Sequence, residues 1–136
     1  MMPNGHGLLL LNVGSPDNPS ESAIRRYLKQ FLMDPYVLDI PWALRWLLVN
    51  GVILRNRPKH SAEAYASIWT EQGSPLITIS QDFATALRSQ LNCPVEIGMA
   101  YGSPSVSDGV TRLKTAGADH ITVLPMFPHY AMSTTE

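Results

Sequence analysis

Leu8–Pro16 reads LLLLNVGSP, and the architecture follows from this stretch. Leu8 to Val13 is apolar almost without a break and shows no in-out alternation. That pattern belongs to a strand buried on both faces, as in a parallel sheet covered by helices. The run stops at Gly14-Ser15-Pro16, where a tight turn must leave the sheet. Asn18 then reads as a helix N-cap, with Pro19 at the first helical position and Glu21 reaching back. Ala23, Ile24, Tyr27, Leu28, Phe31 and Leu32 fall on one stripe of that helix, and Asp34-Pro35 ends it.

Further along, Ser74-Pro75 starts a second clear helix, with Leu76, Ile79, Phe83, Leu87 and Leu91 as its expected buried stripe. Asn92 ends it, and Val95 to Ala100 forms a strand closed by Tyr101-Gly102. Ser103-Pro104 is expected to open a third helix in the same way. Val106, Val110 and Leu113 face inward there, and Gly117 is the stop. His120 to Met126 gives a third strand. The order is that of an α/β domain with parallel strands and right-handed crossovers. Ligands in such sheets bind beyond the carboxyl ends of the strands. Three strand ends point there: Gly14-Ser15, Tyr101-Gly102 and Pro128 to Met132. Ser133 to Glu136 has capping-box spacing, so a further helix is expected to start there, as in the first part of a longer protein.

Between the first two helices lies Trp42–Pro75, WALRWLLVNGVILRNRPKHSAEAYASIWTEQGSP. Trp42 to Leu54 is apolar apart from Arg45, Asn50 and Gly51. A basic knot of Arg55, Arg57, Lys59 and His60 follows, and then a helical segment with Tyr65 and Trp69. A broad apolar surface beside a tight positive cluster suits a ligand that is mostly apolar and anionic at one edge. Arginine forks match carboxylates well. The same knot can equally be a solvated loop, and Tyr65 can equally be a helix-packing residue. Ser74 caps the helix opened by Pro75, and that helix start is also suited to an anion.

Composition narrows the classes. The chain has 136 residues, is 45% hydrophobic and 15% charged, and carries a formal net charge of -1. That is one globular domain with a core of its own, and the charge gives no argument for nucleic acid. The single cysteine, Cys93, rules out an internal disulfide and a four-cysteine cluster from this chain alone. Neither apolar run reaches the roughly 20 residues of a membrane span, though Trp42 to Leu54 suits contact with a membrane surface. No signal-peptide pattern opens the chain, and a cytoplasmic location is expected. Gly14-Ser15-Pro16 is not a dinucleotide fingerprint, no phosphate-loop lysine follows it, and no nucleophile elbow is present. His129 could serve as a metal ligand or a proton acceptor, but no second histidine or carboxylate sits at ligand spacing.

Four segments together carry a family resemblance. LLLLNVGSPDNPSESAIRRYLKQFLMDPYVLDIP, RPKHSAEAYASIWTEQGSPL, MAYGSPS and VLPMFPHYAMSTT resemble, in order and spacing, the N-terminal half of a ferrochelatase (protohaem ferro-lyase). The resemblance implies a Rossmann-like, class II chelatase-like parallel sheet flanked by helices, the first of two similar halves. The implied activity is insertion of Fe²⁺ into protoporphyrin IX or coproporphyrin III, with both as substrates and no tightly bound cofactor. It makes Trp42 to Leu54 a hydrophobic lip that clamps the porphyrin. It puts Arg57 (or Arg55, since the register slips here), Tyr65 and Ser74 at the propionates, Val13 and Ser15 at the porphyrin face, and Tyr130 among the porphyrin contacts. The family often has a bulkier Met or Tyr in place of Val13. His129, Ala131 and Glu136 depart from the family's Y-P-Q-Y-S-x-S-T-T-G loop. The family's catalytic histidine and glutamate lie in later motifs that are not among these residues. The implied reading is therefore a chain without a competent metal-inserting centre, which exposes an apolar face to a missing C-terminal half or to a second copy.

Overall fold

The computed structural model describes residues 4–128 and Met132. A three-stranded parallel sheet forms the centre, in the order β2-β1-β3. Its strands are β1 (His6–Ser15), β2 (Val95–Gly102) and β3 (His120–Pro125), and its helices are α1 (Glu21–Leu32), α2 (Trp42–Leu48), α3 (Leu54–Ile68), α4 (Pro75–Leu91) and α5 (Val106–Thr115). The expected α/β, Rossmann-like class is what forms.

β1 lies between the other two strands, which explains why its apolar run shows no alternation. Leu8 and Leu10 face one side with Ala84, Val95, Ile97 and Met99. Leu9 faces the other with Leu113 and Ala118. Each layer of helices needs its own apolar face, and only a central strand supplies both. β3, by contrast, is exposed along most of its length, with Val123 and Leu124 among the large exposed apolar residues. The outer edge of β2 is closed locally. Arg88 Nε donates to the Val95 carbonyl at 2.8 Å, and Met99 N–H donates to the Pro104 carbonyl at 2.8 Å.

Three sequence expectations are corrected. α1 is capped by Ser20, not Asn18. The Ser20 hydroxyl accepts from Ala23 N–H at 3.3 Å, while Asn18 Oδ1 accepts from Ser20 N–H at 2.9 Å. Asn18 thus forms the turn before the helix, and Glu21 pairs with Arg25 at 3.3 Å instead of reaching back. α5 starts at Ser105, which forms a full capping box with Asp108. Ser103-Pro104 is not its cap, because the Pro104 carbonyl is engaged with β2. On α4 the buried line is rotated from the expected stripe. Ala84 is buried with Ile77, Leu87 and Leu91 against it, whereas Ile79 is 66% and Phe83 39% exposed. These two overhang the β3 side of the sheet, which no described element covers.

Trp42 to Ile68 is helical throughout, but not uniformly so. Between α2 and α3 the segment Val49–Ile53 forms a turn of π-helix. The knot Arg55 to His60 therefore lies on a helix, not in a loop. The inner face of this helical stretch buries Val49 and Leu54 against Leu32, Leu28 and Phe31.

Candidate functional site

The carboxyl ends of β1 and β2 meet as expected: Gly14 pairs with Tyr101 and Ser15 with Gly102. Gly14 has φ of 115°, and a Cβ there would lie 1.8 Å from the Tyr101 carbonyl oxygen. Only glycine permits this crossing, so the turn out of the sheet is fixed in place. Ser15 is buried and Val13 half-buried beside it. The Tyr27 hydroxyl, from α1, donates to the Gly14 carbonyl at 3.2 Å and so ties the helix to the strand end.

An aromatic row extends from this point. Tyr27 stacks on Phe31 at 6.3 Å, and Phe31 meets Tyr101 edge-on at 5.0 Å. Tyr101 donates to Asp34 Oδ2 at 2.6 Å. Burial first, then Tyr65 nearby, pushes the Tyr27 phenol up to about 12. Burial raises Tyr65 as well, and burial followed by Asp34 raises Tyr101. All three stay protonated at neutral pH, and Tyr27 and Tyr101 donate from apolar bodies to Gly14 and Asp34. A concavity of about 230 Å³ opens beside the row, lined by Pro16, Asp17, Arg26, Tyr27, Gln30 and Ser103 among others. The sequence reading missed Arg26 and Gln30. They flank the buried stripe of α1, and only the strand-end geometry shows that they overhang the cleft.

The Trp42–Pro75 stretch packs on the other side of this region, through α3 against α1, and lines none of the concavity itself. Trp42 is 64% exposed and Leu47 60%, with Leu44, Trp46 and Val52 also in solvent. Such a run of exposed aromatic and aliphatic side chains marks a contact surface. Arg45, the one charge within it, is buried and does not join the surface. Its Nη1 donates to the carbonyls of Ile40 at 2.9 Å and Leu38 at 3.3 Å, clamping the loop that leads into α2. Arg55, Arg57, Lys59 and His60 are all exposed on α3. Pro58 sits inside this helix and cannot donate to the carbonyl four residues back, that of Leu54. Arg25 Nη1 donates to that carbonyl instead, so α1 holds the break in the helix.

Tyr65 is half-buried and meets Trp69 edge-on at 6.4 Å. Ser74 is buried at the N-cap position of α4, but its hydroxyl makes no capping bond. The expected cap is therefore present in backbone position only, and the hydroxyl remains available. The fold thus brings Val13, Ser15 and Tyr65 around the β1–α1 corner, with Arg55 and Arg57 exposed on the same helix as Tyr65. His129 and Tyr130 lie outside the described residues, as does the helix expected from Ser133. Among the described residues, no group of three or more His, Cys, Asp or Glu could hold a metal ion. No helix among them is long and apolar enough to cross a membrane.

Comparison with known proteins shows the family. A family model described as Ferrochelatase matches residues 5–136. Ferrochelatase 1 of Shewanella oneidensis is 50% identical over 135 residues, which cover 94% of this chain and 40% of that protein. The ferrochelatase of Azotobacter vinelandii is 51% identical over 130 residues, covering 95% and 38%. That of Thioalkalivibrio sulfidiphilus is 49% identical over 134 residues, covering 94% and 36%. The chain thus spans about two fifths of the length of these relatives and corresponds to their N-terminal part. With a parallel sheet whose strand ends carry the matching motifs, the chain belongs to the ferrochelatase family.

Proposed function

We propose that this chain supplies the porphyrin-gripping part of a ferrochelatase that inserts Fe²⁺ into a porphyrin in haem biosynthesis. The observation that carries the reading is the helical stretch Trp42–Ile68. It presents exposed Trp42, Trp46 and Leu47, followed directly by exposed Arg55 and Arg57. A porphyrin is a flat apolar disc with propionates at one edge, and this surface has the same division. In the proposal the apolar half covers the ring. Arg57 or Arg55, together with the Tyr65 and Ser74 hydroxyls, takes the propionates, and Val13 and Ser15 line the ring face. Tyr130 is proposed to add a further contact.

Insertion requires a base that removes both pyrrole protons as iron enters, and a cleft that bends the ring. Val13, half-buried and without a polar atom, offers the ring only a packing surface. The chain on its own is proposed to bind porphyrin without metallating it, in the cytoplasm and with peripheral membrane contact through the exposed tryptophans. Porphyrin titration tests this. A Soret shift with the 136-residue chain, weakened about tenfold or more when Arg57→Ala is combined with Tyr65→Ala, is expected from the loss of charged and hydroxyl hydrogen bonds. No shift in the parent chain would favour a generic small-molecule domain. Normal metal insertion by this chain alone would overturn its proposed inactivity.

A further inference from the structure

At the opposite end of the sheet from the cleft, two histidines stand side by side on neighbouring parallel strands. His6 of β1 is in register with His120 of β3. Their ring centres are 5.3 Å apart and their planes meet at 84°. His6 Nδ1 is shielded from solvent and has no hydrogen-bond partner among the described residues. A shielded nitrogen left without a partner costs about 1–3 kcal/mol, and a group bound at this nitrogen would remove that cost.

The spacing of the two rings fits one such group. Two imidazoles that bind one tetrahedral ion, with metal–nitrogen bonds of about 2.05 Å, hold their ring centres about 5.2 Å apart. At right angles on an octahedral ion the same bonds would bring them to about 4.5 Å. The observed pair has the tetrahedral spacing. His120 is exposed, which leaves a path for entry, whereas His6 is partly covered. We propose that His6 and His120 form a two-histidine site for a tetrahedral late-transition divalent ion, of which Zn²⁺ is the probe of choice.

Neutral imidazole suits Zn²⁺, Cu²⁺ and Ni²⁺, and the hard oxygen-seeking ions have nothing to bind here. Among the described residues no third protein ligand converges on the pair. Cys93, brought near this level because Leu8 pairs with Val95, packs into the apolar cluster under α4. Water completes the coordination, and the ion exchanges freely. Because the ion clips β3 to β1, it strengthens the attachment of the exposed edge strand. The site stands apart from the proposed porphyrin cleft, so neither reading depends on the other.

Calorimetric titration of Zn²⁺ into the 136-residue chain, with β3 amides followed by hydrogen exchange, tests the site. One Zn²⁺ per chain is expected, with affinity lowered about tenfold or more by His6→Ala or His120→Ala, because a single imidazole remains. Zn²⁺ should also slow exchange at Ile121–Leu124, and this protection should vanish in either variant. The exposed His120→Gln substitution carries the test if His6→Ala does not fold. No binding, or binding unchanged in His120→Gln, overturns the proposal, as does binding without added protection of β3.

Discussion

The Tyr101 hydroxyl donates to Asp34 Oδ2 at 2.6 Å, joining the end of β2 to the turn after α1 across 67 residues of sequence. Asp34 also accepts from Tyr36 N–H at 2.8 Å through its other oxygen. One carboxylate therefore fixes both the strand end and the start of the loop leading to α2. Tyr101→Phe keeps the ring against Phe31 and removes only this bond. A charge-assisted hydrogen bond of this kind contributes about 1–3 kcal/mol, toward the lower end here because Asp34 is partly exposed. Urea unfolding should show that loss with an unchanged slope.

The same buried phenols predict an alkaline limit to stability. Tyr27, Tyr65 and Tyr101 are each raised above the ordinary value of 10.0 in the folded state. The protonated form is the one favoured by folding, so this contribution is fully present below pH 10. It declines as pH rises toward the folded values, about 12 for Tyr27. Tyrosinate absorbance at pH 11 should be incomplete in the native chain and complete after unfolding. Full native ionisation at pH 11 would contradict the burial of these rings.

Arg25 and Pro58 should be energetically coupled. Pro58 removes the helical donor to the Leu54 carbonyl and Arg25 replaces it. Arg25→Met leaves that carbonyl without a donor, at a cost of about 1–3 kcal/mol. Pro58→Ala restores a backbone N–H at the required place. In a double-mutant cycle by urea unfolding, Arg25→Met should therefore cost measurably less in the Pro58→Ala background. Equal costs in both backgrounds would show that the two residues act independently.

Gly14 and Gly73 separate collision from conformational strain. Both have φ in the left-handed region, 115° and 108°. A Cβ on Gly14 meets the Tyr101 carbonyl, whereas one on Gly73 meets nothing within 4 Å. Gly73→Ala should cost about 1–2 kcal/mol from backbone strain alone. Gly14→Ala should cost more than twice as much and expose the cleft to solvent, seen as loss of near-ultraviolet dichroism from Tyr27 and Tyr101.

The parallel order, the central strand and the strand-end corner were legible in the sequence, because β1 is buried on both faces and its composition says so. Helix starts were less legible. Asn18 and Ser20 can both cap, as can Ser103 and Ser105, and the choice depends on tertiary hydrogen bonds such as that from Met99 to Pro104. Periodicity also misplaced the inner face of α4, since Ile79 and Phe83 share the stripe but lie beyond the cover of the sheet. At the site, the residue types of Arg57, Tyr65 and Ser74 were readable. The helical setting of the basic knot was not, because Pro58 reads as a break. Nothing in the local sequence shows that Arg25, far along the chain, repairs it.

The exposed β3 side gives the last prediction. Ile79, Phe83, Leu124 and Met126 are all exposed, and Ile79, Phe83 and Met126 line an apolar hollow of about 180 Å³ with Leu10 and Leu76. A parallel edge strand left open along most of its length is unusual, since such sheets bury both faces. Large apolar patches draw the molecule into association. The 136-residue chain should therefore self-associate at high concentration, and light scattering should show its mean mass rising with concentration. Phe83→Glu together with Leu124→Glu places like charges on the patch, which repel between copies and should restore a monomer. Neither side chain belongs to the buried core, so stability should change by less than about 1 kcal/mol. The proposed porphyrin surface on Trp42–Ile68 lies elsewhere, and a Soret shift should survive the double substitution. If association persists in that variant but disappears when Trp42 and Trp46 are changed to Ser, the exposed tryptophan surface drives it instead.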